Sequence, residues 1–160
     1  MNPVLGLRSI ARLRVEIGEF LEVGPVPNGR RRVIPISGGR VEGSELRGTV
    51  LALGADWNLV RADESETVSA HYVIRTDDEV LLSVQNDGVI ADRLPGRLGI
   101  TSLRIEAPAG SRYTWLNDAT LVGSLTVDPA PTGIAVLLEY WVVEVGAEAE
   151  PRSTVGVRDA

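Results

Sequence analysis

Cysteine is absent from the 160 residues, which excludes disulfides, Cys-ligated zinc, iron–sulfur clusters and thiol nucleophiles. Lysine is absent as well. All 16 basic residues are arginine, so Schiff-base chemistry and a P-loop lysine are excluded. Histidine occurs once, at His71, which removes His-rich metal sites and any mechanism needing two imidazoles. No metal site and no cofactor is expected. No apolar run approaches the ~20 residues of a membrane-spanning helix, and no basic, apolar and small-residue sequence marks a leader at the N-terminus. The expectation is a cytoplasmic protein without membrane contact. Positive charge is also short: 22 acidic residues outnumber the basic ones and leave a net charge of −6. That is the wrong sign for a general nucleic-acid binder. The run Arg30-Arg31-Arg32 is the one dense basic cluster, and the few aromatics are spread along the chain without forming a stacking array. Such a triplet more simply straddles a strand or loop, with one arginine packed and two in water, and no nucleic-acid partner is expected.

What is present points to one folded domain. Hydrophobic residues make up 44% and charged residues 24%, enough apolar content for a core at this length. Helix signals are nearly missing. Short Val- and Ile-rich runs are separated every eight to twelve residues by Gly, Pro, Asn or Asp, the pattern of an all-β chain. Leu13, Val15 and Ile17 alternate with Arg12, Arg14 and Glu16, a half-buried strand. The stretch Gly24 to Gly29 reads as a loop, Arg32 to Ile36 as a strand with an edge or bulge at Pro35, and Gly38-Gly39 as a turn. Glu45 to Leu53 forms a further strand. Thr67 to Thr76 and Glu79 to Gln85 form a hairpin across Asp77-Asp78, and Asn86-Asp87-Gly88 closes it. A turn at Leu94-Pro95-Gly96 and strands at Ile100–Glu106, Ala119–Val127 and Ile134–Val145 complete the series. The folded domain is expected over residues 8–146 and a flexible, disordered tail over 147–160. Eight or more strands with short connections imply an antiparallel barrel or sandwich.

A barrel of about eight strands can hold one small ligand. Candidate site residues are therefore polar or aromatic groups on strands that are otherwise apolar. On one strand Val68, Ala70, Tyr72 and Ile74 share a face, while Ser69, His71, Val73 and Arg75 share the other; on the last strand Tyr140, Val142 and Glu144 share a face. In Leu53-Gly54-Ala55-Asp56-Trp57, an aspartate follows a flexible glycine and precedes an indole. Asp56 is either a desolvated carboxyl with a raised pKa, fit for general acid–base work, or a turn residue accepting backbone N–H groups while Trp57 plugs the barrel. Tyr113-Thr114-Trp115-Leu116-Asn117, if extended, places two aromatics and an amide on one face. It is either a ligand platform or a core corner with a turn-forming Asn117. His71 is a proton shuttle or a bystander. Arg75 most simply pairs with Asp77, and would bind a carboxylate, phenolate or enolate if it pointed inward.

The segments Arg30–Gly39, Leu46–Leu51, Gly54–Trp57, Tyr72–Asp78 and Arg112–Asn117 resemble, in order and spacing, the family known as DUF3237 or UPF0311, over roughly residues 10 to 145. The resemblance implies a single calycin-like, lipocalin-like antiparallel β-barrel of about 8–10 strands that associates into homo-oligomers. Some related proteins of natural-product pathways look like cofactor-free cyclases that close an ether ring by proton transfer. The family pattern falls on Arg32, Gly38, Gly39, Gly48, Gly54, Asp56, Trp57, Tyr72, Asp77, Asp78, Trp115 and Asn117. It departs where the glycine usual after the paired aspartates is Glu79, where the arginine usual before the tyrosine is His71, and where Gly88 to Arg104 is shortened. The expectation is a cofactor-independent acid–base enzyme of cyclase, isomerase or lyase type, acting on a small hydrophobic, aromatic or polyketide-like metabolite inside the barrel. Asp56, Tyr72 and His71 are its candidate catalytic residues; Trp57, Arg75, Trp115, Asn117 and Arg32 are its candidate substrate-binding residues. The alternatives are a non-catalytic binding barrel and a structural protein whose barrel is filled by its own side chains.

Overall fold

The computed structural model describes residues 3–91, 95–130 and 133–146. Ten strands run in chain order: β1 (Val4–Ile17), β2 (Leu21–Val26), β3 (Gly29–Glu42), β4 (Gly48–Asp56), β5 (Leu59–Val60), β6 (Glu66–Thr76), β7 (Leu81–Ile90), β8 (Gly99–Glu106), β9 (Leu121–Ala130) and β10 (Gly133–Gly146). Eight of them close a ring in the order β1-β10-β9-β8-β7-β6-β4-β3, and the β1–β3 pairing forms the seam. Every pairing is antiparallel. The fold is a closed barrel, so edges are left to the appended strands and to the start of β1, which extends beyond its pairing with β3. Two short additions extend one end: β2 pairs with β3, and β5 bridges β3 and β6.

The period-two pattern explains the ring. On β6, Val68, Ala70, Tyr72, Ile74 and Thr76 are buried while the intervening residues reach solvent, and β8 buries Gly99, Thr101, Leu103 and Ile105 in the same way. Hairpin signals in the sequence identify the β6–β7 pair correctly, with Asp77-Asp78 at its turn. Other boundaries differ. The Gly24–Gly29 stretch is no open loop: Pro27-Asn28 is a tight turn, and the rest extends the β2–β3 hairpin. Gly38-Gly39 is no turn either. Both residues lie inside β3 at φ of 151° and 155°, backbone that glycine tolerates, where the strand bends between β1 and β4. Pro35 does sit at an irregularity, since the β3–β4 register shifts between Pro35 and Gly39. The tail expected over 147–160 and part of the Leu94–Gly96 turn lie outside the described residues.

The two ends of the barrel differ. At one end, where β6 and β8 finish, the segment 107–120 folds under the ring and adds Tyr113 and Leu116 to the buried core, to which Leu46 and Ile10 also belong. The Tyr113 hydroxyl donates to Asp78 Oδ1 at 2.7 Å, and Arg112 donates to the Tyr113 oxygen at 2.7 Å. This end is plugged. At the opposite end, formed by Ile17, Ile34, Ile36, Val68 and Val136, the side chains stop short of filling the barrel. Among the described residues no helix is long and apolar enough to cross a membrane.

Candidate functional site

The unfilled end is a cavity of about 60 Å³, open to solvent, whose walls include Val15, Ile17, Ile36, Val68, Ala70, Leu125 and Leu138. Three residues that line it carry polar side-chain groups: Asp56, Tyr72 and Asn86. Their places follow from register. Asp56 pairs with Ala70 and Gly54 with Tyr72 across β4–β6, while Ala70 also pairs with Asn86 across β6–β7. Directly opposed residues share a face, so all three polar groups meet inside the barrel. An irregularity in β4 between Val50 and Gly54 precedes Asp56. Gly54 has φ of 107°, and a Cβ there would collide with the His71 carbonyl, so glycine is required for β4 to lie this close to β6.

Asp56 stands at the mouth, half-buried, and its Oδ1 accepts the Ser69 N–H at 2.7 Å. Burial in apolar surroundings pushes its pKa up from 3.8 to about 6; the Ser69 N–H, Asn58 and the charge of Arg32 oppose this, and Glu66 adds to it. The two sequence readings of Asp56 therefore coexist in one residue, a backbone acceptor that is also desolvated. Behind it stands a polar wall. Arg32 donates to Asn58 Oδ1 at 2.7 Å and 3.1 Å and to Glu66 Oε2 at 2.9 Å, and it stacks 5.1 Å from the centre of the Phe20 ring. Asn58 in turn donates to Glu66 Oε2 and to the Thr67 carbonyl. Arg32 is the packed member of the arginine triplet. It ties β3 to Asn58, just before β5, and to Glu66 of β6, and is not among the residues that line the cavity.

Deeper in, the Tyr72 hydroxyl meets the hydroxyl of Tyr140, which reaches across from β10. Burial drives both phenols well above their ordinary pKa, so both are neutral. The Asn86 amide lies against the Tyr72 hydroxyl. Asn86 is only 1% exposed, and its Oδ1 has no hydrogen-bond partner among the described residues. Sequence reading missed Asn86 and Tyr140 as site residues. Asn86-Asp87-Gly88 carries the composition of a turn, yet β7 continues through it to Ile90. Only its pairing with Ala70 reveals that Asn86 points inward.

The remaining candidates lie elsewhere. His71 and Arg75 alternate with Tyr72 on β6 and therefore face solvent; His71 borders a polar depression with Ser83, Gln85 and Arg104 on the outer surface. Arg75 lies 3.9 Å from Glu79, the partner it meets in place of Asp77. Trp57 is 49% exposed and faces outward, so it neither plugs the barrel nor covers Asp56. The Tyr113–Asn117 segment is not extended. Thr114–Asn117 is a single 3₁₀ turn at the plugged end, with Trp115 packed partly on the core and Asn117 bonded to both backbone groups of Ala107. Trp115 and Asn117 are thus at the opposite end of the barrel from Asp56. Among the described residues no group of three or more His, Asp or Glu side chains could hold a metal ion.

The model of the family described as "Protein of unknown function (DUF3237)" matches residues 5–145. The chain belongs to the DUF3237 family. A UPF0311 protein of Rhodopseudomonas palustris is 36% identical over 89 residues, which is 56% of this chain and 58% of that protein. The matched stretch thus spans little more than half of that relative. A β-barrel-like protein of Acinetobacter baumannii superposes with a TM-score of 0.78 at 26% identity, covering 90% of this chain and 99% of the other. An enzyme from Penicillium herquei shares the fold with a TM-score of 0.69 at 22% identity, covering 90% of this chain and 97% of that one. Glu79 sits at φ of 63°, where glycine is unstrained, and the connection between β7 and β8 leaves the ring at the same end as the cavity mouth.

Proposed function

We propose that this DUF3237 barrel is a cofactor-independent acid–base catalyst for a small, largely apolar metabolite held in the open end, with Asp56 as the proton acceptor or donor. One observation supports this above the rest: a carboxyl at the mouth of an apolar cavity whose pKa, about 6, lies near neutrality. Such a group can take a proton from a carbon or oxygen acid and return it within one binding event. Positioned proton transfer accounts for ~10²–10⁴-fold of rate, and the cavity walls must supply orientation for the rest. Tyr72, held by Tyr140 and Asn86, presents a neutral hydroxyl dipole to the charge that develops.

The reading can be tested before a substrate is known. Enolisable carbonyl compounds of graded size, incubated with the protein in D₂O, should gain deuterium faster than in buffer. The acceleration should rise as pH passes about 6, when the base form of Asp56 predominates, and vanish in Asp56→Asn. Exchange unaffected by the protein, or undiminished in Asp56→Asn, would remove Asp56 from a catalytic role. The second reading is a barrel that binds and does not react. It is favoured by the company Asp56 keeps: the other titratable group in the cavity lining, Tyr72, is held neutral by burial, and His71 lies on the outer face.

A further inference from the structure

The interior offers a second polar contact that proton transfer at Asp56 leaves unused. Asn86 is buried, lines the cavity and carries an amide oxygen without a partner among the described residues. A buried acceptor left without a donor is costly, and such atoms are seldom tolerated unless water or a ligand serves them. The Tyr72 hydroxyl does not relieve it, because Asn86 acts toward the Tyr72 oxygen as a donor and leaves its own Oδ1 without a partner. The chemistry of the lining also restricts what could enter. Besides the apolar walls it presents the Asp56 carboxyl, the Asn86 amide oxygen and the Tyr72 hydroxyl, which is bonded to Tyr140, and no cationic residue. An anionic head group would be repelled; a donor would be held. The volume, about 60 Å³, has room for roughly four water-sized groups, against the ~150 Å³ that accommodates a benzene ring in an engineered cavity. The part of a ligand that reaches Asn86 is therefore narrow, and any ring remains in the open mouth.

We propose that Asn86 is a specificity-determining residue that accepts a hydrogen bond from the leading hydroxyl of a neutral, otherwise apolar ligand. This deepens the reading above and rests on it only in taking the cavity as the ligand site. The ligand class is an alcohol, phenol or enol inserted hydroxyl-first, with the reacting centre left beside Asp56. Apolar analogues lacking the donor would leave Asn86 unpaired and bind less well, the asymmetry by which buried polar groups reject imperfect ligands.

Two isomers provide the probe: 1-hexanol and methyl pentyl ether have the same atoms, and only the alcohol can donate. Binding is measured by NMR titration of the full chain, wild type, Asn86→Leu and Asp56→Asn. The expected result is that wild type and Asp56→Asn bind the alcohol at least fivefold more tightly than the ether, and that the ratio falls to near one in Asn86→Leu. Should Asn86→Leu fail to fold, the side-chain amide resonances of Asn86 in the wild type serve instead, shifting with the alcohol and not with the ether. Equal binding of the two isomers would mean that water alone serves Asn86 and would overturn the proposal. So would no binding of either, a preference that survives Asn86→Leu, or one that is lost in Asp56→Asn. Failure of deuterium exchange alongside a preserved alcohol preference would reject catalysis and keep Asn86; the reverse pattern would keep catalysis and reject Asn86.

Discussion

At Asp56 two physical effects oppose each other, and their balance can be measured. The Ser69 N–H favours the carboxylate and burial disfavours it; burial prevails, so the folded-state pKa of about 6 exceeds the ordinary 3.8. A carboxyl with a raised folded pKa binds its proton more tightly in the folded than in the unfolded chain. Its contribution to stability is therefore complete below pH ~4 and is lost as pH rises through about 6. Asp56→Asn removes the charge and keeps an oxygen for the Ser69 N–H. This variant should be more stable than wild type at pH 8, by up to ~3 kcal/mol before discounting for solvent at the mouth, and equal to it near pH 4. Urea denaturation of both proteins across that range is the check, and a variant less stable at pH 8 would mean that hydrogen bonding dominates. The residue type and its neighbours in sequence raised both possibilities for Asp56. They could not weigh them, because burial is set by β6, β3 and the apolar walls. Asn86 shows the reverse limit: its sequence context suggests a turn, and only the β7 register turns its amide inward.

Among the elements, the β6–β7 hairpin was the most legible, since β-rich runs on either side of a polar dipeptide leave few alternatives. Its turn still carries a cost. Glu79 is held in the left-handed region at φ of 63°, where a side chain pays roughly 1–2 kcal/mol relative to glycine. Glu79→Gly should stabilise the protein by ~0.5–1 kcal/mol, the relief being partly offset by the greater freedom of glycine in the unfolded chain. The Arg75–Glu79 pair it removes is 3.9 Å long and solvent-exposed, worth little. A melting temperature unchanged or lowered would show the strain to be absorbed elsewhere in the turn. The Tyr113–Asn117 segment was least legible. Its aromatics suit a strand as well as a plug, and the choice falls to the Tyr113–Asp78 bond and the space beneath the ring.

For the whole molecule, closure of the ring concentrates risk at the seam. Gly39 pairs with Val15 of β1 and with Val50 of β4, so it lies where the barrel shuts. A Cβ there would stand 2.5 Å from the Arg14 carbonyl and 3.1 Å from Val15 Cα, both backbone atoms that cannot step aside. Gly39→Ala should cost at least ~2–3 kcal/mol, as overpacking and an unfavourable φ combine. Gly6→Ala meets nothing within 4 Å and should change stability by only a few tenths of a kcal/mol. Thermal melts of the pair separate closure from a general intolerance of glycine replacement: comparable losses would place the strain outside the seam.

Taken alone, the order of amino acids determined the fold class. Period-two alternation on β6 and β8, broken by turn residues at short intervals, admits little besides an antiparallel sheet, because a one-residue slip would turn each apolar face to water. It also singled out Asp56 and Tyr72, whose spacing from neighbouring apolar residues is local. Tertiary structure decided which of the other candidates meet them. Trp57, His71 and Arg75 are one residue out of phase with the interior, and Trp115 and Asn117 belong to the far end, while Tyr140 and Asn86 arrive from strands 68 and 14 residues distant from Tyr72 in the chain. Strand phase after an irregularity, and the partner that closure brings across the ring, depend on long-range pairing; no local pattern encodes them.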